Sequence, residues 1–284
     1  MIAQLLVSTA LSAALTAFSN PNVVALAESA GDDGVSVIAQ WGEELDLDER
    51  IVQQIDRYSR EEDDLGDSYA PVIAAAVRRL VFQDAVNALG NLPEVGGEPS
   101  VIVTYLEPGF AARDGKEPND DHRRDFEKGY IRIEVVATFE MQGVTPEQAL
   151  RAYTNPEFRM STSSRIKRIW TEDDLSCVEV KGVKALLSPT FACNRIDELI
   201  RPGLASQHSQ VVSNPGGDDY QTVYYKESLK TFVAVRNGLA MHYINYTRAV
   251  KLGRLKKSLG RGRIVDSEEE KIQELRTRLA NGIK

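Results

Sequence analysis

Hydrophobic and polar positions alternate from residue 130 to residue 139, and the period then changes. The apolar set is Ile131, Ile133, Val135, Ala137 and Phe139, with polar residues at Arg132, Glu134 and Thr138 between its members. This alternation predicts a half-buried strand. Thr145-Pro146-Glu147 then opens a helix, with Thr145 as the N-cap and Pro146 at the first helical position. The segment therefore predicts a long strand followed by a helix over about 145–153.

The rest of the C-terminal half predicts about six strands and a closing helix. The strand candidates are 161–173, 175–186, 190–200, 206–213, 220–235 and 239–250, and Asn237-Gly238 marks a hairpin between the last two. Residues 266–280 carry an apolar stripe at Ile272, Leu275 and Leu279, which is typical of an amphipathic helix. An antiparallel meander needs cover on one face, so we expect an α+β fold in which this helix covers the sheet.

The N-terminal part of the chain has a different pattern. Residues 28–36 are small and acidic and predict a flexible leader, whereas 46–63 and 68–90 predict a pair of helices. A strand is expected at 100–106, followed by a linker rich in Pro, Gly and Asp at 107–125. We therefore divide the chain into residues 28–127, an acidic helical region with its linker, and residues 128–284.

Charge supports this division. The net charge is −8, but residues 28–129 hold 24 acidic and 10 basic side chains, whereas residues 130–284 hold 18 acidic and 24 basic ones. The two regions thus have different surfaces, and the acidic one is a poor partner for nucleic acid.

The first 27 residues contain no charged side chain. An apolar run of 14 residues (5–18) precedes Pro21 and an Ala-Leu-Ala sequence at 25–27. This layout favours a secretory signal over 1–27 that is cleaved near Ala27, and the run is short of the ~20 residues that span a bilayer. An uncleaved anchor and a cytosolic start remain the alternatives. We expect an exported protein, periplasmic or membrane-associated.

The chain has two cysteines, Cys177 and Cys193, with fifteen residues between them. In an oxidising compartment two cysteines on neighbouring strands would pair, so export favours a disulfide. Two buried free thiols are the alternative. A metal site is not expected, because two thiols without a nearby histidine make at most half of a zinc site.

The segment "VVATFEMQGVTPEQALRAYTNPEF" resembles the first strand and helix of the START-like, or helix-grip, superfamily, which includes polyketide cyclases and lipid-transfer domains. Pro146, Glu147, Asn155 and Phe158 occupy the pattern of that helix, and the resemblance covers about residues 128–282. It implies a curved antiparallel sheet around a long C-terminal helix, with a cavity for an apolar ligand between them. The cysteine pair and a lengthened basic segment before the last helix depart from the family, and residues 28–127 lie outside the resemblance.

The resemblance makes the inner faces of the sheet and of the final helix candidates for ligand contact. The candidate ligand-binding residues are Trp170, Val178, Val180, Tyr224, Tyr243, Asn245, Arg248, Leu275 and Leu279. On the last strand, alternation places His242, Ile244, Tyr246 and Arg248 on one face and Met241, Tyr243, Asn245 and Thr247 on the other. In the alternative these residues are ordinary core that fills the interior, or, for Arg248, a solvated outer face.

A basic segment at 251–263 is a candidate for contact with an anionic membrane surface. Its cations are Lys251, Arg254, Lys256, Lys257, Arg261 and Arg263. Nucleic acid would use the same charges, but aromatic residues do not interleave them. The alternative is a solvated basic loop that faces the acidic N-terminal region.

Enzyme chemistry finds little support in the sequence, so no catalytic residue, metal or cofactor is predicted. The histidines are His122, His208 and His242, and His208 with His242 could share a face, but no carboxylate is closely spaced with them. Nucleophile-elbow, zinc-protease and phosphate-loop motifs are not found. A cyclase-like or hydrolase-like site, for example His242 with Arg248, remains a minor alternative.

The sequence thus favours a non-catalytic protein that binds or carries a hydrophobic molecule, such as a lipid or a quinone-like compound, in the cell envelope. We expect the ligand to enter through loops at 155–161 and 251–265. The alternative is an interaction or scaffold protein with a filled core that binds a protein partner through residues 46–90.

Overall fold

The helices and strands are taken from a computed structural model, which describes residues 30–45, 70–92, 95–106, 130–140, 143–182, 189–216, 225–248 and 254–281. The helices are α1 (Ala30–Glu44), α2 (Ala70–Leu89), α3 (Pro146–Thr154), α4 (Pro156–Ser161) and α5 (Arg254–Ala280). The strands are β1 (Ser100–Leu106), β2 (Tyr130–Phe139), β3 (Ile166–Glu172), β4 (Leu175–Val180), β5 (Thr190–Arg201), β6 (Leu204–Ser213), β7 (Tyr225–Val235) and β8 (Gly238–Arg248).

Within the described residues the strands form one curved antiparallel sheet in the order β1-β2-β8-β7-β6-β5-β4-β3. Strands β3 to β8 form a meander, and β2 pairs with β8 from the other end of the chain. The β7–β8 hairpin turns at Asn237, whose φ of 64° is a left-handed value that asparagine tolerates. With α5 at its C-terminal end and α1 and α2 before it, the sheet confirms the predicted α+β fold class.

The two faces of the sheet carry different helices. Helices α1 and α2 pack on one face, mainly on β7 and β8, and we call this the N-helix face. Helices α3, α4 and α5 lie on the other, which we call the cavity face; α3 packs on β6 and β7, and α5 on β1 and β2. Alternation separates two cores, one around Trp41, Val77 and Leu229 and the other around Phe158, Phe232 and Leu275.

The helix that follows β2 begins as the sequence predicts. Thr145 is the N-cap of α3: its Oγ1 accepts from the Gln148 backbone at 3.2 Å, and its own N–H donates to Gln148 Oε1 at 2.9 Å. This reciprocal capping box satisfies two backbone donors. Asn155 then caps α4 through Oδ1, so the segment that was predicted as a loop at 155–161 is a second short helix.

Two further expectations about local structure are wrong. Residues 30–36 belong to α1 instead of a flexible leader, because Ile38 and Trp41 anchor that helix against α2; the ring centroids of Trp41 and Phe82 lie 5.6 Å apart. Residues 254–265 are helical and extend α5, where Gly260 lies close to Tyr105 of β1. The predicted helix at 46–63 falls outside the described residues.

The sheet and its cores extend across the proposed boundary at residue 127. Strand β1 precedes that boundary and pairs with β2 along its length, and α2 contributes Val77, Val81 and Ala85 to the core of the N-helix face. The described N-terminal elements are therefore part of the sheet and its cover.

The disulfide prediction is confirmed in the structure. Cys177 of β4 and Cys193 of β5 are direct partners in the strand register and are bonded to each other. Both sulfurs belong to the N-helix face of the sheet, as the alternation with the cavity-lining residues Val178 and Ala192 shows.

Candidate ligand-binding cavity

A cavity of about 390 Å³ lies on the cavity face, between strands β3–β8 and helices α3 and α4, with one residue contributed by α5. The cavity lies where the sheet curves away from these helices. Ligand sites in proteins run from about 300 to 1,000 Å³, so the volume suits a small guest.

One wall of the cavity is apolar. It is built from aromatic side chains of α3, α4 and β8 and from aliphatic side chains on β3 to β6: Tyr153, Phe158, Tyr243, Ile166, Val178, Val180, Ala192, Ile196 and Val211. Tyr153 and Phe158 contact each other with ring centroids 5.7 Å apart. Transfer of apolar surface from water to this wall is favourable.

Another part of the lining is cationic. Lys226 and Lys230 project from β7, Arg159 from α4, Arg165 from the turn after it, and Lys271 from α5. Among the described residues that line the cavity, none is Asp or Glu. The Ser209 and Ser228 hydroxyls and the Gln207 amide complete this polar part.

Burial lowers the pKa of the two lysines on β7. Desolvation, together with the charges of Arg159 and Lys271, lowers the pKa of Lys226 to about 8, although Glu268 opposes the shift. Desolvation lowers the pKa of Lys230 to about 7, with Arg159, Lys226 and Lys271 adding repulsion. Both side chains are partly exposed, but the surrounding protein prevents full hydration of their two ammonium groups.

The cavity cations have few acceptors for their protons. Lys230 Nζ donates to Gln207 Oε1 at 3.3 Å, and Arg165 donates to the Lys181 carbonyl at 3.2 and 3.3 Å. Lys271 forms an ion pair with Glu268 on the same helix. The positive charge of the cavity thus exceeds the negative charge around it.

Six of the predicted ligand residues lie on the cavity face or in its core, in different environments. Val178, Val180 and Tyr243 line the cavity. Asn245 is on the same face of β8 and donates from Nδ2 to Thr247 Oγ1 at 2.9 Å. Leu275 and Leu279 are buried in the core between α5, α3 and β2 and do not belong to the described lining.

Trp170 lies on the opposite face of the sheet. It pairs with Cys177 in the strand register, after an irregularity between Ile166 and Arg168 that shifts the alternation. Its ring contacts that of Phe191 at a tilt, with the ring centroids 5.0 Å apart. Arg248 pairs with Tyr225, so it belongs to the same alternation as Ile244 and Tyr246 and not to that of Tyr243. Tyr224 lies outside the described residues.

The predicted membrane-contact residues fall at the start of α5 or before it. Arg261 and Arg263 are exposed, and Arg254, Lys256 and Lys257 occupy its first turns. Lys251 lies outside the described residues. In the described part of the chain, no helix combines the length and apolar character needed to cross a bilayer.

Both described histidines lie on the N-helix face, in contact with carboxylates from other strands. His208 Nε2 is 2.6 Å from Glu227 Oε1, and His242 Nε2 is 3.0 Å from Glu134 Oε1. Burial lowers the pKa of His208, but its contacts with Asp197 and Glu227 outweigh burial and raise it. His242 and the position of Arg248 are thus across the sheet from the cavity. Within the described ranges, no cluster of His, Cys, Asp and Glu could hold a metal ion.

The surface predicted to bind a protein partner, 46–90, is described from residue 70 onward. There the apolar side of α2 is buried against β7 and β8, and Arg78 reaches Glu227 at 2.9 Å and Gln210 at 2.6 Å. This side of α2 is therefore occupied by the sheet.

Sequence reasoning missed the cations of the cavity. A signal existed, because Lys226, Ser228 and Lys230 alternate on β7 with Tyr225, Glu227 and Leu229. Lysine on a strand ordinarily marks the solvent side, however, and the sequence does not show that helices cover both faces of β7.

The element order and sheet topology give an α+β fold in which a curved antiparallel sheet lies against a long C-terminal helix, the helix-grip arrangement that the sequence resemblance implies. No protein-family model matches the sequence, and a search of curated proteins finds no match.

Comparison with solved structures finds distant likenesses in the fold. A STAR-related lipid transfer protein from Xanthomonas axonopodis is similar with 10% identity and a TM-score of 0.43 over 67% of this chain and 98% of that one. Human STARD10 is similar with 9% identity and a TM-score of 0.43 over 67% and 74% of the two chains. A START superfamily protein from Mycobacterium smegmatis shows 11% identity and a TM-score of 0.36 over 53% and 98%. Likenesses this distant carry no argument about function.

Proposed function

We propose that this protein binds a hydrophobic small molecule or lipid in the cavity between strands β3–β8 and helices α3 and α4, and that it carries this ligand without chemical change. The observation that carries the proposal is the cavity of about 390 Å³ with an apolar wall. Such a wall favours the binding of a molecule whose apolar surface covers it and removes it from water.

The walls indicate how the ligand is held. Tyr153, Phe158 and Tyr243 give broad aromatic contact at one end, and aliphatic side chains of β4 to β6 continue the apolar surface. Helix α4 is six residues long and closes one side of the cavity, so a shift of α4 would open it. Entry beside α4 uses the segment 155–161 that the sequence suggested, which is a short helix instead of a loop.

We further propose that the protein works in the cell envelope. The support for this is the uncharged apolar segment at 1–27 and the disulfide between Cys177 and Cys193, a bond typical of oxidising compartments. The same proposal includes binding of the exposed Arg261 and Arg263 side chains to an anionic membrane surface.

Native mass spectrometry of the full chain, purified without detergent, tests the binding function. We expect a discrete adduct in the mass range of a lipid or quinone that dissociates on collisional activation. The matched variant is Ala192→Trp, which fills the cavity from β5; Ser213→Trp, on the same sheet outside the described lining, is the control.

Loss of the adduct in Ala192→Trp but not in Ser213→Trp would place the ligand in the cavity. An apo mass for the unmodified chain, together with a stable protein complex recovered by crosslinking, would contradict carriage and favour the scaffold alternative. N-terminal sequencing of the protein from fractionated cells tests the envelope location, with a start at Glu28 in the exported fraction as the expected result.

A further inference from the structure

The charge of the cavity is not matched by the protein itself. Lys226 and Lys230 stand two positions on either side of Ser228, so these three side chains point to the cavity from one strand. Arg159 and Lys271 act electrostatically on both lysines, which means that four cations surround one volume. Glu268 is the carboxylate that acts on them, and it already pairs with Lys271.

Such an arrangement is costly in an empty cavity. Removing cations from bulk water is unfavourable unless opposite charges and hydrogen bonds replace the water. The four cations carry many charged donors, whereas Glu268, which already pairs with Lys271, is the carboxylate described beside them, and the other acceptors of the described lining are neutral amide and hydroxyl oxygens. An anion at this place would accept hydrogen bonds from several of these donors.

We propose that the ligand is an anionic amphiphile, whose phosphate or carboxylate group is held by Lys226, Ser228, Lys230 and Arg159 while its apolar part lies along the wall formed by Tyr153, Val178 and Ile196. This inference rests on the proposed function and names the class of ligand. The polar and apolar walls face the same volume, so one molecule with both characters contacts both.

The size of the cavity narrows the class further. A volume of about 390 Å³ is near the lower end of the range for small-molecule sites. It suits one acyl or isoprenoid chain with a small acidic head better than a lipid with two full chains. A fatty acid or a single-chain phosphate ester has this shape and charge.

The lysines make binding sensitive to pH. The ionisable groups around Lys230 are Lys226 on the same strand, Tyr243 on β8, Tyr153 on α3, Arg159 on α4, and Lys271 and Glu268 on α5. With a pKa of about 7 in the empty cavity, Lys230 is partly neutral near pH 7, and an anion beside it would restore its proton. Binding of a carboxylate should therefore take up protons and weaken as the pH rises above about 8.

Calorimetric titration of the delipidated full chain tests the inference with four probes of equal chain length: decanoate, decyl phosphate, decanol and decyltrimethylammonium. Inorganic phosphate is the probe for the head alone. We expect both anionic probes to bind at least about ten-fold more tightly than decanol, since a hydrogen bond to a charged group is a strong one. The ammonium probe should not bind. Lys230→Met and Lys226→Met should weaken decanoate by about ten-fold or more and leave decanol unchanged.

The control is Arg236→Met, which removes an exposed cation from the β7–β8 turn outside the cavity and should change none of these affinities. If decanol binds as tightly as decanoate and the lysine variants have no effect, the anionic class is wrong while ligand binding stands. If inorganic phosphate binds as tightly as decyl phosphate, the cavity recognises a free anion and the apolar part of the inference is wrong. If none of the probes binds, both the inference and the proposed function are contradicted.

Discussion

Both faces of the sheet bury charged side chains, but they treat them in opposite ways. On the N-helix face each charge meets its opposite: Arg78 contacts Glu227 at 2.9 Å, and Arg132 contacts Asp84 at 2.9 Å and Glu134 at 2.8 Å. The charges are paired, but hydrogen bonding is incomplete: Glu227 Oε2 is buried and has no hydrogen-bond partner in the described structure. These pairs fasten α2 to the sheet.

On the cavity face positive charge is in excess, and Glu268 is the carboxylate that acts on it. Lys226, Lys230 and Arg159 surround a volume without a carboxylate in its described lining. Desolvation lowers the pKa of all three groups, which shows that the empty cavity disfavours their charge. The paired charges on the N-helix face hold α2 on the sheet, whereas the excess positive charge of the cavity would be neutralised by an anionic ligand. Mutations on the two faces should therefore change stability in opposite directions.

The largest expected effect is on the N-helix face. Arg78→Met should lower the free energy of unfolding by about 3–5 kcal/mol, because the buried Glu227 would lose its guanidinium partner and keep His208 as its remaining contact. The double variant Arg78→Met/Glu227→Gln should lose less than the sum of the two single variants. Urea unfolding measures both. A loss below about 1 kcal/mol for Arg78→Met, in the range of exposed pairs, would contradict the view that this pair is buried and structural.

The disulfide gives a covalent constraint with which the charge effects can be compared. It closes a segment with a sequence separation of 16 residues, and the variant Cys177→Ala/Cys193→Ala should be about 3 kcal/mol less stable in the chain-entropy model. Decanoate affinity should be nearly unchanged, since the cysteines lie on the face opposite the cavity. Urea unfolding and calorimetry measure the two quantities. A loss of decanoate binding as large as the loss of stability would show that the faces are not independent.

On the cavity face the sign should reverse. Lys230→Met should stabilise the ligand-free chain by about 1–4 kcal/mol at neutral pH, because it replaces a desolvated cation by an apolar side chain of similar volume. The control Arg236→Met should stay within about 0.5 kcal/mol of the parent. Thermal unfolding in the absence of ligand is the measurement. Destabilisation by Lys230→Met beyond that of the control would mean that the ammonium group is matched within the protein.

The smallest expected effect, measured per pH unit, is the pH dependence of stability. The folded-state pKa of Lys230, about 7, lies below the ordinary 10.5, so the unfolded chain binds more protons between these values. Stability should thus rise with pH across this window, by at most about 1.4 kcal/mol per pH unit for each proton. Lys230→Met should show a smaller rise in parallel urea titrations. Equal slopes for the parent and the variant would contradict a lowered pKa at Lys230.

The sequence carried much of the fold because its local signals agree with each other. The alternation in β2, the N-cap at Thr145 and the Asn237-Gly238 turn each specify a neighbouring element, and the structure confirms all three. The α1 helix was missed although Val35, Ile38 and Trp41 have helical spacing, because its stability comes from packing on α2.

The cavity was harder to predict because it depends on contacts between distant segments. Tyr243 was expected to contact the ligand and lines the cavity, whereas Trp170 was expected there too but lies on the other face, since an irregularity in β3 shifts the alternation. The carboxylates of the two histidines come from other strands, as with His242 and Glu134, which are 108 positions apart. The cationic wall was missed because helices distant in sequence from β7 cover it, α1 and α2 on one face and α3 on the other.

The central claim is that Lys226 and Lys230 form an unmatched cationic wall that an anionic ligand completes. The most direct test is an NMR titration of lysine side chains in the ligand-free full chain and in its decanoate complex, with Lys226→Met and Lys230→Met used for assignment. We expect a pKa of about 8 for Lys226 and about 7 for Lys230 without ligand, and a rise of both values on binding. Values near the ordinary 10.5 in the empty protein, unchanged by decanoate, would contradict the central claim.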